Sequence, residues 1–579
     1  MKIVLRTIKF LLDILPKSEK LNLIGISALL IINSLLDLLG LGALLPVFSV
    51  LLEDDVIQKY RWARWVYDLF SLTDEHQLVV VLAVALFVVI VMKNLLCLWI
   101  AKINSAFALN LSKDFTLRLH ALYYKKGFTY FKTTNSNVVV RNLRMATMQF
   151  SSTQVLGTLN FLNEVIVLVF IVVFIAIYNL KILILLGLTV LPPFYIFYRW
   201  VRKRSIDLGD RSNKIGPIIG KNMFQSIFGY VDVVIMGAEN DFRKKIKNNL
   251  NELVDVAIKT NIYNLAPTRV IETSLMLAIT IIISFGIYYL PSKLELIKLL
   301  GLFAVAGYRI MPSINRMMIA INGLNRSQWI FDVLEPLRQE KIDNTTIINK
   351  PIVFNKELKL HNLNFSYSED AKPIFSNYNL TIKKGEVIGL KGPSGAGKTT
   401  LMNILLGFLK PTSGDYFIDD IKLSEEYEAS FYEKIGYVQQ QVYLIDGTIA
   451  ENVAFGCKKK DIDQEKLKSV LKKSNLFEFV SDLDHGVNEI IGENGTRLSG
   501  GQRQRLGIAR ALYFDSEILF LDEATSALDD QTEQEITQSI QNLADGELTI
   551  IIIAHRLSTL EHCNRIVNID SNLINEVSS

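Results

Sequence analysis

Hydrophobic positions divide the chain in two. Up to about residue 330 they run together in stretches near the roughly 20 residues that cross a bilayer as a helix. Beyond about 350, apolar and charged residues alternate as in a water-soluble α/β domain. The apolar runs predict six transmembrane helices, at about 21–52, 78–103, 156–180, 182–201, 266–290 and 296–320. Flanking basic residues orient them. The 102–150 connection carries Lys102, Lys113, Arg118, Lys125, Lys126, Lys132, Arg141 and Arg144 against Asp114 alone, and 199–265 is richer still in Lys and Arg. Both are expected on the cytoplasmic side. The short connections at 179–181 and 291–295, and the acidic 53–77 stretch, are expected outside. A membrane half over 1–335, a linker over 336–351 and a soluble half over 352–579 follow.

Two shorter patterns are amphipathic. In "MKIVLRTIKFLLDILP", Lys2, Arg6, Lys9 and Asp13 recur at helical spacing and no small-residue cleavage site follows. The expectation is a helix lying on the inner membrane surface. In "VIQKYRWARWVYDLF", Trp62, Trp65, Val66, Leu69 and Phe70 follow the i, i+3, i+4, i+7, i+8 rule. This outer helix either meets the head-group layer, which Trp and Tyr favour, or packs on its neighbours.

Composition agrees with the division. With 579 residues, 50% of them hydrophobic, and a mean hydropathy of +0.28, the chain is too long and too apolar for one soluble domain. A formal charge of +4 without a block of like charge gives no sign of nucleic acid as a partner. Cys97, Cys457 and Cys563 are too scattered for a disulfide framework or a zinc site.

The soluble half carries the sharper chemistry. "GPSGAGKT" at 392–399 follows the apolar "EVIGL" and precedes "TLMNILLGFL", the strand, phosphate loop and helix of a nucleotide site. Gly392, Ser394, Gly395 and Gly397 let backbone N–H groups close around phosphates. Lys398 supplies a point charge, Thr399 a hydroxyl for Mg²⁺, and Thr400 is a further candidate for binding the nucleotide. In "EILFLDEATSALD" the apolar strand delivers Asp522 to the metal and Glu523 to the position of an attacking water. Two carboxylates at the end of a buried strand are costly unless a cation sits beside them.

With "LSGGQRQR" at 498–505 added, the stretch from about 353 to 570 resembles the nucleotide-binding domain of ABC transporters. That resemblance implies ATP and Mg²⁺ as cofactors. It assigns Tyr367 in "LNFSY" to stacking on adenine, Gln440 in "IGYVQQQVYL" to the metal and the membrane half, and His555 in "IIIAHRLST" to the γ-phosphate. It sets "SALD" at 526–529 on the dimer interface. Gln439 stands where the family commonly has proline, which touches loop stiffness rather than chemistry. In the family, Ser499 and Gly501 of one subunit complete the γ-phosphate site of the other. A homodimer with two competent sites is the economical assembly, and a heterodimer with a similar partner stays open. The membrane half resembles the exporter type, an α-helical six-span domain before an α/β P-loop ATPase. The resemblance implies long cytoplasmic helical extensions and short transverse helices near 135–140 and 225–231.

Cations inside the apolar spans need an account, because one near the bilayer midplane costs at least about 2.5–3.5 kcal/mol. Arg309 and Arg316 in "GYRIMPSINRMM" lie seven apart, about 20° from one another around a helix. Lys93 and Arg269 are further examples. Either these four line a cavity for a substrate with concentrated negative charge, or they pair with Asp37, Glu164 or Glu272, the last within helical reach of Arg269. The "AGYRIMPSINR" and "APTRVIE" stretches and the outer helix resemble bacterial flippases of polyprenyl-pyrophosphate-linked oligosaccharides. That narrower resemblance implies a bacterial inner-membrane protein moving an anionic lipid-linked saccharide outward. The alternatives are an exporter of other lipids, amphipathic drugs or peptides, or an ATPase that regulates a channel.

Overall fold

The computed structural model describes residues 2–42, 56–72, 74–178, 180–289, 293–340, 349–368, 370–523, 538, 548–554, 556, 560–569 and 576–577. The chain divides into two compact units, Met1–Asn344 and Thr345–Ser579.

The first unit is helical. Its described helices include α1 (Lys2–Ile14), α2 (Lys17–Gly42), α3 (Arg61–Leu69), α4 (Glu75–Lys125), α5 (Ser136–Arg141), α6 (Leu156–Tyr178), α7 (Leu180–Phe228), α8 (Tyr230–Ile235), α9 (Glu239–Tyr289), α10 (Lys293–Arg326) and α11 (Ile330–Glu340). At 1.5 Å per residue, α4, α7 and α9 each run for about 75 Å, more than twice a bilayer's hydrocarbon thickness. Spans therefore continue as unbroken helix into the connections expected on the cytoplasmic side. Among the described residues, four stretches are long and apolar enough to cross a membrane: Lys17–Leu36, His76–Lys125, Ser136–Val173 and Glu239–Tyr288. The other two predicted spans, 182–201 and 296–320, fall on α7 and α10 and are not among these four. Short helices α5 and α8 stand at the two predicted transverse positions, the second displaced a few residues toward the C-terminus.

The two amphipathic helices are both partly packed. Helix α1 buries Val4, Thr7, Phe10, Leu11 and Ile14. Phe10 meets Phe150 and Phe331 with ring centroids 5.6 and 5.1 Å apart, so this part of the apolar face packs on protein, while Leu5 and Leu12 stay exposed. Helix α3 turns Trp62 and Val66 onto Leu78 and Leu82 but leaves Trp65, Leu69 and Phe70 exposed. The five positions thus split between packing and surface. A helix with one apolar stripe declares that it will be covered, not by what.

The second unit holds two sheets. The smaller is antiparallel, with order β2-β1-β4-β5, built from β1 (Glu357–Phe365), β2 (Phe375–Lys383), β4 (Ser413–Ile418) and β5 (Ile421–Lys422). The larger has order β10-β9-β3-β8-β7-β6, from β3 (Val387–Lys391), β6 (Ile435–Val438), β7 (Ile518–Asp522), β8 (Thr549–Ile553), β9 (Arg565–Asn568) and β10 (Glu576–Val577). Strands β9, β3, β8, β7 and β6 are parallel. Strands β3, β6, β7 and β8 are nearly all-apolar runs, as strands covered on both faces require. The phosphate loop after β3 and the Asp-Glu pair ending β7 both leave from carboxyl ends of parallel strands, where open α/β sheets bind ligands.

Candidate functional site

The loop that follows β3 turns directly into α12 (Lys398–Leu405). Gly395 and Gly397 adopt φ of +84° and +100°, a region that side chains resist. A Cβ on Gly397 would also stand 2.8 Å from Ile374. Backbone N–H groups at the start of α12 are thereby left facing the loop, ready for an anion. Lys398 is buried, with its Nζ donating to the carbonyls of Gly392 at 2.8 Å and Pro393 at 3.1 Å. Thr399 and Ser394 are exposed, whereas Thr400 is buried with its hydroxyl 3.1 Å from the Tyr367 phenol. The Tyr367 ring is exposed and meets Phe365 edge-on, its centroid 5.1 Å away.

Two strands away in the sheet, β7 ends at Asp522 and the chain turns sharply at Glu523, which has φ +47°. The Glu523 amide donates to Ile553 O at 2.9 Å, and Gln440 Nε2 donates to Glu523 Oε2 at 2.7 Å. Tyr437 on β6 donates to Asp522 Oδ2 at 3.4 Å. Burial, and then the nearby Asp522 charge, push the Tyr437 phenol well above its ordinary pKa, so it stays a donor across the neutral and alkaline range. Sequence reasoning missed Gln504. It is buried on α13 (Gly500–Tyr513), and its Nε2 donates to Gln440 O at 2.7 Å. A continuous chain therefore runs from Gln504 through Gln440 to Glu523. The second glutamine of "GGQRQR" was its only signal in the sequence.

Ser499 caps α13, accepting from Gln502 N at 3.2 Å and donating its own N–H to Gln502 Oε1 at 2.8 Å. Gly501 is buried in the first turn. Among the described residues no hydrogen bond joins either to the loop at 392–399, so within one chain the signature residues and the phosphate loop are separate constellations. His555 and the 526–529 stretch lie outside the described residues. A nucleotide's Mg²⁺ fits the donors here. With its Nε2 on Glu523, Gln440 has its amide oxygen left to give, and the Asp522 carboxylate and the Thr399 hydroxyl are further oxygen donors. Oxygen donors of this kind, completed by phosphates and water, suit Mg²⁺.

In the membrane unit, Arg316 pairs with Glu164. Its Nε lies 2.6 Å from Oε1 and its Nη2 3.2 Å from Oε2, the two-pronged geometry of a strong pair. The Glu164 side chain is only 6% exposed and that of Arg316 46%, so a buried carboxylate is met by a half-exposed guanidinium. Arg269 pairs with Glu272 at 2.8 Å on an exposed helix face. The side chains of Arg309 and Asp37 lie outside the described residues. A cavity of about 410 Å³ among α6, α7, α9 and α10 is lined by Arg316 and Glu164 but by neither Lys93 nor Arg269. Lys93 lies on α4, which does not line that cavity, and Arg269 on α9 is turned to its own Glu272.

Comparison with known proteins sets this geometry in a family. Residues 375–526 match the family model described as ABC transporter. An ATP-dependent lipid A-core flippase of Ralstonia nicotianae is 39% identical over 259 residues, 44% of this chain and 43% of that protein. The flippase of the same name from Hahella chejuensis is 32% identical over 390 residues, 66% of this chain and 64% of that one. The chain thus spans less than two thirds of the length of these relatives. A solved structure of a bacterial Atm1-family ABC exporter with ATP bound superposes with a TM-score of 0.76 at 20% identity, over 97% of this chain and 95% of the other. Residues 375–526 thus carry the ATPase domain of the ABC transporter family model, and the chain as a whole has an exporter-type fold, a helical membrane half followed by that ATPase domain.

Proposed function

We propose that the chain is one protomer of an ATP-driven flippase that moves an anionic lipid-linked saccharide, of the polyprenyl-pyrophosphate-oligosaccharide kind, from the inner to the outer leaflet of a bacterial inner membrane. The observation that carries the ATP-driven part is the Gln504–Gln440–Glu523 chain beside the Lys398 loop, because it aims a carboxylate where a hydrolytic water is needed. Lys398 and the α12 amides hold the β- and γ-phosphates, Mg²⁺ joins Thr399, Gln440 and Asp522, and Glu523 polarises the water. His555 contacts the γ-phosphate and Tyr367 stacks on adenine. Ser499 and Gly501 reach the site of a second copy, which makes a homodimer of six spans per protomer the working assembly.

Support for a lipid cargo comes from relatives named as flippases of lipid A-core. Support for an anionic head comes from Lys93, Arg269, Arg309 and Arg316 within apolar helices, where cations are expensive. The Arg316–Glu164 and Arg269–Glu272 pairs favour a second reading, a general lipid or amphipathic-drug exporter, since a paired guanidinium attracts an anion less. Reconstitution in liposomes separates the two. Polyprenyl-pyrophosphate saccharide added to one leaflet should cross in an ATP-dependent manner, and Lys398→Ala should abolish crossing. Failure of that lipid to cross, with ATP-dependent transport of an uncharged amphiphile, would overturn the anionic-saccharide reading.

A further inference from the structure

The cavity among α6, α7, α9 and α10 contains a feature that the Arg316–Glu164 pair does not account for. Arg326, at the last position of α10, lines it and is half-buried. No carboxylate or hydrogen-bond acceptor pairs with its guanidinium among the described residues. Close by on the same wall, Asn322 is 5% exposed. Its Nδ2 donates to Tyr263 O at 3.2 Å, and its Oδ1 has no partner among the described residues. A donor fork without an acceptor and a buried acceptor without a donor thus belong to the wall of one space. Leaving a buried acceptor or a guanidinium unmatched is unfavourable, so the pairing is expected to come from what enters the cavity.

The level of the cavity narrows what that is. On α7 the lining residue Ser205 follows the predicted end of the span at 201, and on α9 Thr260 and Tyr263 precede the start at 266. Arg326 follows the end at 320. All three helices put the cavity at the cytoplasmic boundary of the hydrocarbon, where head groups of the inner leaflet lie. Its volume of about 410 Å³ is within the range of small-ligand sites, about 300–1,000 Å³, and suits a head-group fragment rather than a long tail. The floor is held in place by Gly209, where a Cβ would meet Arg326 O at 2.0 Å. The backbones of α7 and α10 touch there, which fixes the root of the Arg326 side chain.

We propose that this cavity is a loading site for a phosphate-bearing, hydroxyl-rich group, with Arg326 forking onto phosphate oxygens and Asn322 Oδ1 accepting from a ligand hydroxyl. Arg316, neutralised by Glu164, shapes the site without supplying its charge. The proposal rests on the reading of the cargo as an anionic lipid-linked saccharide and adds where its head first docks.

The test uses full-length wild-type protein in nanodiscs, so that it does not depend on a variant folding. Phenylglyoxal modification of Arg326 is followed by peptide mass spectrometry with geranylgeranyl pyrophosphate, with inorganic pyrophosphate, or with neither. Protection of about tenfold, the scale of one lost charge-assisted contact, is expected with geranylgeranyl pyrophosphate. Protection by inorganic pyrophosphate as well would support the phosphate site and assign it to a soluble phosphate source. Equal modification in all three samples overturns the proposal. Arg326→Gln supplies an independent arm: it should weaken geranylgeranyl pyrophosphate binding about tenfold, with Arg326→Lys recovering part of the loss, and unchanged affinity in both counts against the site. Flipping of the lipid-linked saccharide without protection of Arg326 would remove this site and leave the proposed function standing. Protection of Arg326 without flipping would do the reverse.

Discussion

Glu523 combines a catalytic position with a backbone that side chains avoid. Its φ of +47° carries a cost of about 1–3 kcal/mol, which the surrounding structure must hold in place. The hydrogen bond that its amide donates to Ile553 O and the one its side chain accepts from Gln440 do so. Glu523→Gln keeps the shape and an acceptor for Gln440, so ATP binding should persist while turnover falls at least about 10²-fold, the scale of a lost general base. Nucleotide binding and phosphate release on the same preparation decide it, and near-normal release would take Glu523 out of that role. Gln504 acts one bond further back. Gln504→Leu removes the donor to Gln440 O and lets the loop drift, so kcat for ATP should drop severalfold while KM, set by the loop at 392–399, stays near its original value. A proportional rise in KM would mean that the whole domain had loosened instead.

Helix α3 shows what periodicity can and cannot say. Five apolar positions on a 3.6-residue repeat are legible as a stripe, yet Trp62 and Val66 pack on Leu78 and Leu82 while Trp65, Leu69 and Phe70 remain exposed. Trp62→Ser should therefore lower the melting temperature, whereas Trp65→Ser should leave it unchanged and weaken partition into lipid. Thermal denaturation and vesicle binding of the two variants check the split, and equal destabilisation would put both rings in the packed core. The same limit governs α1, whose stripe was plain but whose cover is Phe150 and Phe331, more than a hundred residues away. By contrast the strand, loop and helix around Lys398 were legible in full, because phosphate binding imposes glycines and a lysine at fixed spacing. The Gln504 to Gln440 contact was not, since a glutamine in a helix announces no partner 64 positions away.

Across the whole molecule, the Arg316–Glu164 pair determines how the membrane cations can be tested. Removing Arg316 alone strands a carboxylate that is only 6% exposed, a loss of about 3–5 kcal/mol. Against total stabilities of about 5–15 kcal/mol, Arg316→Ala should express poorly and melt early whether or not Arg316 touches cargo. A single substitution therefore cannot separate recognition from folding. Replacing both members, Glu164→Gln with Arg316→Met, removes the charges together and leaves no buried ion unpaired, so its melting temperature should return close to that of the unaltered protein. Flipping by this double variant then reports on recognition. If Arg316 helps to draw an anionic head group across, a stable double variant should flip polyprenyl-pyrophosphate saccharide poorly, and more poorly than it moves a neutral lipid. Flipping at the original rate would make the pair purely structural and leave the charge for cargo to the remaining cations of the membrane half.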